Sequence, residues 1–242
     1  MTTGNPAVVK PGDAGAAWRK PPLPDPPRKQ DIRQYNHYNR AAIGNTVYRH
    51  FSHQPDILVS GEGYLCFDRN QPQSGWRYPD LVIAYGVDPD AISENNGYEI
   101  HVVGKPPDFV LEVASPSTGR ADYTTKRDDY AAFGVGEYWR FDYSGGQYHD
   151  APLAGDLLVN GQYEPIELID DRPGKMSEML SGYSPALDLY LCWDNGKLRF
   201  YDPKTDEFLM DPQELEAALA EAQAELDAAL ERVKQLETEF ES

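Results

Sequence analysis

Two acids interrupt otherwise apolar runs. Asp80 follows Pro79 and leads into Leu81-Val82-Ile83-Ala84-Tyr85, and Glu112 lies within Phe109-Val110-Leu111-Glu112-Val113. Runs this apolar read as strands buried on both faces. A carboxylate set into such a strand is costly to desolvate unless it is paired, hydrogen-bonded or bound to a metal. Either acid alone reads equally well as the cap of a turn. Together, with Lys126 a short way beyond the second, they suit metal-assisted cleavage of a phosphodiester. That chemistry needs a divalent cation to acidify a water and to stabilise charge on the phosphorus oxygens. Mg²⁺ takes hard oxygen ligands, commonly one or two carboxylates completed by water and phosphate. Asp80 and Glu112 would supply that pair for Mg²⁺ or Mn²⁺, and the backbone carbonyl of Val113 a third ligand. Lys126 would orient the attacking hydroxide or neutralise the pentacovalent intermediate.

The elements that must position these groups follow from the intervening sequence. Ser115-Pro116-Ser117-Thr118-Gly119-Arg120 is a loop by composition. Asp122 is placed to N-cap the next helix, whose apolar face carries Tyr123, Tyr130 and Phe133. Lys126 and Tyr130 lie four apart and so share one side of it. Gly134 and Gly136 end the helix, and Glu137-Tyr138-Trp139-Arg140-Phe141-Asp142 reads as the next strand. The order is strand, strand, helix, strand, with the acids on strands and the lysine on the helix.

The segment from Glu112 to Thr118, followed by Asp122, Lys126, Tyr130 and Gly134-Val135-Gly136-Glu137-Tyr138-Trp139, resembles the Uma-type restriction endonucleases. That family is assigned to the PD-(D/E)XK nuclease superfamily. The resemblance covers residues 31 to 210 and is strongest from Tyr78 to Asp142. It implies an α/β fold with a restriction-endonuclease-like mixed sheet flanked by helices, and a metal-dependent endonuclease acting on nucleic acid, with DNA the first expectation. Pro79-Asp80 matches the PD half-motif and Glu112 the second acid. Ala114 stands where the common pattern has a lysine. Members of the superfamily can supply the lysine from the following helix, which implies Lys126. Its spacing to Tyr130 resembles the Gln-x-x-x-Tyr motif of the exonuclease branch, with lysine in place of glutamine. The family often carries a histidine on its first helix, which implies a supporting or phosphate-contacting role for His37; a satisfied, half-buried histidine is the plainer reading. Glu62, between Gly61 and Gly63, is either an auxiliary metal ligand or a turn residue.

The chain of 242 residues divides into three parts. Residues 1–30 carry seven prolines and few large apolar residues, and read as a disordered arm. Residues 31–210 form the globular part, which beyond Phe141 consists of short strands and hairpins. Asn160-Gly161 and Asn195-Gly196 each sit between strand-like runs, a strong hairpin signal. Residues 211–242 start with Asp211 as N-cap and Pro212 at the first helical position. From there Leu215, Leu219, Ala222, Leu226, Ala229, Val233, Leu236 and Phe240 step by four and three alternately. Such an a/d seam with an acidic exterior reads as a coiled-coil helix through which the chain forms a homo-oligomer.

Charge weighs against a tight nucleic-acid binder. The chain carries a net −18, and its tail from Asp211 holds ten acids against two bases. Phosphate-binding surfaces are normally basic. DNA would therefore be weakly held or delivered by a partner, or else the fold serves as an inactive scaffold assembled by its coiled coil. A glycan hydrolase using the same carboxylates has less support, because no sugar-binding aromatic pattern lies near them. Cys66 and Cys192 lack metal-ligand spacing and read as buried thiols of a reducing cytoplasm. No apolar run approaches the ~20 residues of a membrane span.

Overall fold

The computed structural model describes residues 21–26, 43–169 and 179–240. His37 lies outside the described residues, as does most of the proline-rich stretch. Within that stretch residues 21–26 are docked. Leu23 is buried, its backbone N–H donates to the Asn95 carbonyl at 2.8 Å, and Asn96 donates to the Leu23 carbonyl at 3.0 Å.

Six strands form the central sheet, in the order β1-β3-β5-β6-β7-β8. They are β1 (Ile57–Ser60), β3 (Leu81–Tyr85), β5 (Phe109–Val113), β6 (Glu137–Phe141), β7 (Leu153–Val159) and β8 (Gln162–Pro165). A short parallel pair, β2 (Tyr64–Cys66) and β4 (Gly97–Glu99), lies apart from it. The β5–β6 pair is parallel and the other central pairs are antiparallel, which makes the sheet mixed. The parallel pair requires a crossover. It is made by two short helices, α4 (Gly119–Asp122) and α5 (Thr125–Phe133). The first helix among the described residues, α1, covers Ile43–Phe51; α2 (Pro89–Glu94) and α3 (Ile100–Val103) lie between β3 and β5.

Alternation along each strand sends side chains to opposite faces. Leu81, Ile83, Phe109, Leu111, Trp139 and Phe141 point to one face, where they meet α1 and the strands that follow β8. Those later strands form a second, antiparallel sheet: β9 (Leu168–Ile169), β10 (Leu180–Ser184), β11 (Leu189–Asp194), β12 (Lys197–Asp202) and β13 (Glu207–Phe208). Val82, Ala84, Val110 and Tyr138 point to the other face and pack with Ile92, Ile100 and Tyr130 from the helices. Both faces of the central strands are therefore covered, as their near-continuous apolar sequence requires. The C-terminal hairpins form one wall of the core.

Both Asn-Gly pairs sit at tight turns. Val159 pairs with Gln162 and Asp194 with Lys197, and all four turn residues have positive φ. Cys66 and Cys192 are buried free thiols, and burial pushes Cys66 up to about 12. The tail forms a helix of its own, α6 (Pro212–Phe240). The Asp211 carboxylate accepts the N–H groups of Gln213 and Glu214, and Glu214 accepts that of Asp211, so the start is capped reciprocally. Leu219, Leu226, Val233, Leu236 and Phe240 of its seam are exposed, and so is Leu230 beside it. Among the described residues no helix is long and apolar enough to cross a membrane.

Candidate active site

Register brings the two acids together. In the antiparallel β3–β5 ladder Leu81 pairs with Leu111 and Val82 with Val110. Continued one residue beyond the end of the ladder, this register sets Asp80, which immediately precedes β3, opposite Glu112, with the parity of Val82 and Val110. The two are joined through the backbone: the Val113 N–H donates to Asp80 Oδ2 at 2.6 Å. Both side chains are buried, Asp80 at 0% and Glu112 at 2% exposure.

The crossover helices complete the cluster. Arg77 donates through Nε to Asp129 Oδ2 at 2.8 Å and ties α5 to the approach of β3. Lys126, on the first turn of α5, reaches Glu112 Oε2 at 3.0 Å and Asp122 Oδ1 at 2.6 Å. Tyr130, one turn on, donates its hydroxyl to Glu112 Oε1 at 2.6 Å. Burial raises the Glu112 carboxyl above the ordinary glutamate range, with Lys126 opposing the shift and Asp122 adding to it. Burial pulls the Lys126 ammonium down, but Glu112 and Asp122 outweigh it and the net shift is upward. Burial, reinforced by Glu112, pushes the Tyr130 hydroxyl well above the usual tyrosine range, so it acts here as a donor.

Asp122 is not the N-cap that its sequence position suggests. The helical stretch breaks at Tyr123, and Thr124 occupies the cap position of α5. Asp122 instead ends α4, fully buried. Its Oδ2 accepts from His149 Nε2 at 2.9 Å, and its backbone carbonyl accepts the Tyr138 hydroxyl at 2.7 Å. His149 carried no signal in the sequence, because it lies in the β6–β7 loop, far from the motif residues. That loop is pinned by Asp142, whose carboxylate accepts the N–H groups of Ser144, Tyr148 and His149 at 2.7 to 2.9 Å. Burial would raise the Asp142 carboxyl, but donors from Ser144, His149 and Tyr148 outweigh it and hold it below the usual range.

The remaining candidates fall elsewhere. Glu62 sits at a turn with φ 60°, its N–H directed at the Pro79 carbonyl, and lines a cavity of about 250 Å³ with Tyr64, Val82 and Asn96. Among the described residues no three or more His, Cys, Asp or Glu side chains assemble as a metal-holding group, so Glu62 is not drawn in with Asp80 and Glu112. Two of the nearby bases are engaged internally: Arg127 and Arg140 converge on Asp156 at 2.8 and 2.6 Å. Arg120 is exposed.

The family model Uma2, described as "Putative restriction endonuclease", matches residues 40–188. The chain belongs to the Uma2 family. The matched region contains Asp80, Glu112, Asp122, Lys126, Tyr130 and His149, and ends before β11. Among solved structures, the crystal structure of "a putative nuclease belonging to DUF820" from Anabaena variabilis superposes with a TM-score of 0.39 at 16% identity, covering 63% of this chain and 76% of that one. No curated protein matches this member of Uma2.

Proposed function

We propose that the chain is a divalent-cation-dependent endonuclease that cleaves DNA, with Asp80, Glu112 and the Val113 carbonyl as cation ligands and Lys126 as the catalytic cation. One observation carries the reading: the buried Asp80 carboxylate accepts the Val113 N–H at 2.6 Å, which ties it to the strand position next to the buried Glu112, whose Oε2 lies 3.0 Å from the Lys126 ammonium. The charge balance fits a divalent cation. Asp80, Glu112 and Asp122 are three buried carboxylates, and Lys126 is shared between two of them. Excess buried negative charge is costly, and a hard cation on oxygen ligands relieves it. When bound, the cation would acidify a water and polarise the scissile phosphate. Tyr130 fixes one Glu112 oxygen and so sets the rotamer that presents the other. Lys126 stands where it can orient the nucleophile and offset charge on the phosphorus oxygens.

Net charge and the internal pairing of Arg127 and Arg140 favour weak DNA binding, and equally support the second reading, an inactive nuclease-fold scaffold. The exposed seam of α6 supports homo-oligomerisation in either case, and two buried free thiols suit a reducing cytoplasm. Calorimetric titration with Mn²⁺ separates the readings. Wild type is expected to bind the ion and to nick supercoiled plasmid in Mg²⁺ or Mn²⁺, while Asp80→Asn and Glu112→Gln do neither. A wild-type chain that binds no divalent cation would overturn the nuclease reading.

A further inference from the structure

We infer that Asp122, held in place by His149, is a positioning residue that retains Lys126 at the site when a divalent cation takes over Glu112. The inference rests on the cation site proposed above, and its starting point is that Lys126 occupies two carboxylates at once. Its ammonium lies 3.0 Å from Glu112 Oε2 and 2.6 Å from Asp122 Oδ1, while Glu112 Oε1 is taken by the Tyr130 hydroxyl. A cation ligated by Glu112 would compete for the oxygen that Lys126 now contacts, and two like charges at such separation repel strongly in a buried site. A lysine held by Glu112 alone would then swing out to solvent, since its stem is flexible and its side chain is already 18% exposed. Asp122 prevents this, because its hold on the ammonium does not pass through Glu112.

The surroundings of Asp122 are built for that hold. A buried aspartate that served its helix would accept N–H groups from a first turn; Asp122 stands at the last position of α4. Its carboxylate is directed to two side chains, Lys126 on one oxygen and His149 on the other. A carboxylate only accepts, so the His149 Nε2 carries the proton and donates. His149 is itself fully buried, and among the described residues its Nδ1 has no hydrogen-bond partner, so the ring serves the single bond to Asp122. The backbone beneath it is fixed by the Asp142 carboxylate and by close packing of the loop on α4. A Cβ at Gly119 would lie 2.2 Å from the Tyr148 carbonyl oxygen.

The test follows Lys126 itself rather than cleavage. Full-length protein is treated with an acetylating reagent at constant pH, with and without Mn²⁺, and modification of Lys126 is timed by mass spectrometry. Wild type should label slowly in both conditions. Asp122→Asn should label slowly without Mn²⁺, when Glu112 still holds the amine, and about ten-fold faster or more with it, the scale of one lost charge-assisted hydrogen bond. His149→Ala should move toward Asp122→Asn, and His149→Gln, which keeps an N–H donor near the Nε2 position, should restore the wild-type pattern. A purely structural role for His149 would raise labelling in both conditions alike and would overturn the inference. So would an Asp122→Asn variant that stays protected in Mn²⁺, or a wild type exposed by Mn²⁺ to the same degree. Mn²⁺ titration of the same samples keeps the two ideas apart. If wild type binds no Mn²⁺, the cation site falls and takes this role with it; if it binds while Asp122→Asn stays protected, only the positioning role falls.

Discussion

Glu112 is asked to be both a buried side chain and an anion. Burial pushes its carboxyl toward the protonated form, and Lys126 and Tyr130 oppose that shift. Removing the charge while keeping the shape relieves the first demand. Glu112→Gln without divalent cation is therefore expected to unfold in urea within about 1 kcal/mol of wild type, or at slightly higher urea, while losing Mn²⁺ binding. Tyr130→Phe should behave differently, because it strips a donor from a buried carboxylate, at a cost of about 1–3 kcal/mol. In the Glu112→Gln background that cost should shrink, since the acceptor is then neutral. The double-mutant cycle reads the coupling directly. Asp156 makes the opposite case. Burial would raise it, but Arg127 and Arg140 outweigh burial and hold its carboxyl below the ordinary aspartate value of 3.8. A depressed folded value means stability that is complete above the unfolded pKa and is lost as pH falls through the folded one. Asp156→Asn should thus be less stable than wild type at neutral pH. The gap in urea midpoint should close as pH drops below the carboxylate range; a gap constant with pH would mean that charge is not what Asp156 contributes.

At the scale of elements, the two sheets are registered by one tryptophan and one buried acid. Trp139 on β6 is fully buried, and its indole N–H donates to Glu137 Oε2 at 2.9 Å. Glu137 also accepts the Ser184 hydroxyl at 2.6 Å and the Ala186 N–H, so it joins the central sheet to the turn after β10. The ring lies between Gly155 of β7 and Gly182 of β10. A Cβ at Gly155 would meet Trp139 ring carbons at 2.9 Å, and one at Gly182 would meet the Leu168 side chain at 2.5 Å. Gly155→Ala should overpack this seam and destabilise by about 1–3 kcal/mol. Because Arg140 and Glu112 pair across β5 and β6 one residue beyond Trp139, the same variant should also weaken Mn²⁺ binding by shifting β6. Urea unfolding and ion titration on one sample check both effects.

At the scale of the molecule, the tail and the domain answer to different forces. The described residues up to Leu209 form one compact unit and those from Met210 onward another. An isolated helix gains most of its stability from packing an apolar face, and the α6 seam is exposed from Leu219 to Phe240. Ending the chain at Met210 should therefore reduce oligomer size in light scattering and leave the thermal transition of the domain in place. The full-length oligomer should strengthen with salt, because like-charged acidic exteriors repel and added ions screen them. A full-length chain that stays monomeric at all salt concentrations would remove self-association from the reading of α6. Salt acts oppositely on DNA, where phosphate contacts weaken as ionic strength rises.

Much of this was legible in the chain alone. Apolar runs at Leu81–Tyr85 and Phe109–Val113 specify strands buried on both sides, Asn160-Gly161 and Asn195-Gly196 specify hairpins, and Asp211-Pro212 specifies a helix start, because each signal is local: period, turn chemistry or cap. The same locality misled at Asp122, where a capping residue ahead of a helical pattern was indistinguishable from a buried one closing the helix before it. Strand register, which brings the Asp80 carboxylate to the Val113 N–H beside Glu112, depends on pairing between segments separated by α2, β4 and α3, and no short-range pattern encodes it. His149 is the extreme case. It meets Asp122 only because β6 and β7 leave their loop over α4, and Gly119 leaves room for that loop to settle. Local propensity therefore determined which residues form strands and helices, and long-range packing alone decided which of their polar side chains share a buried site.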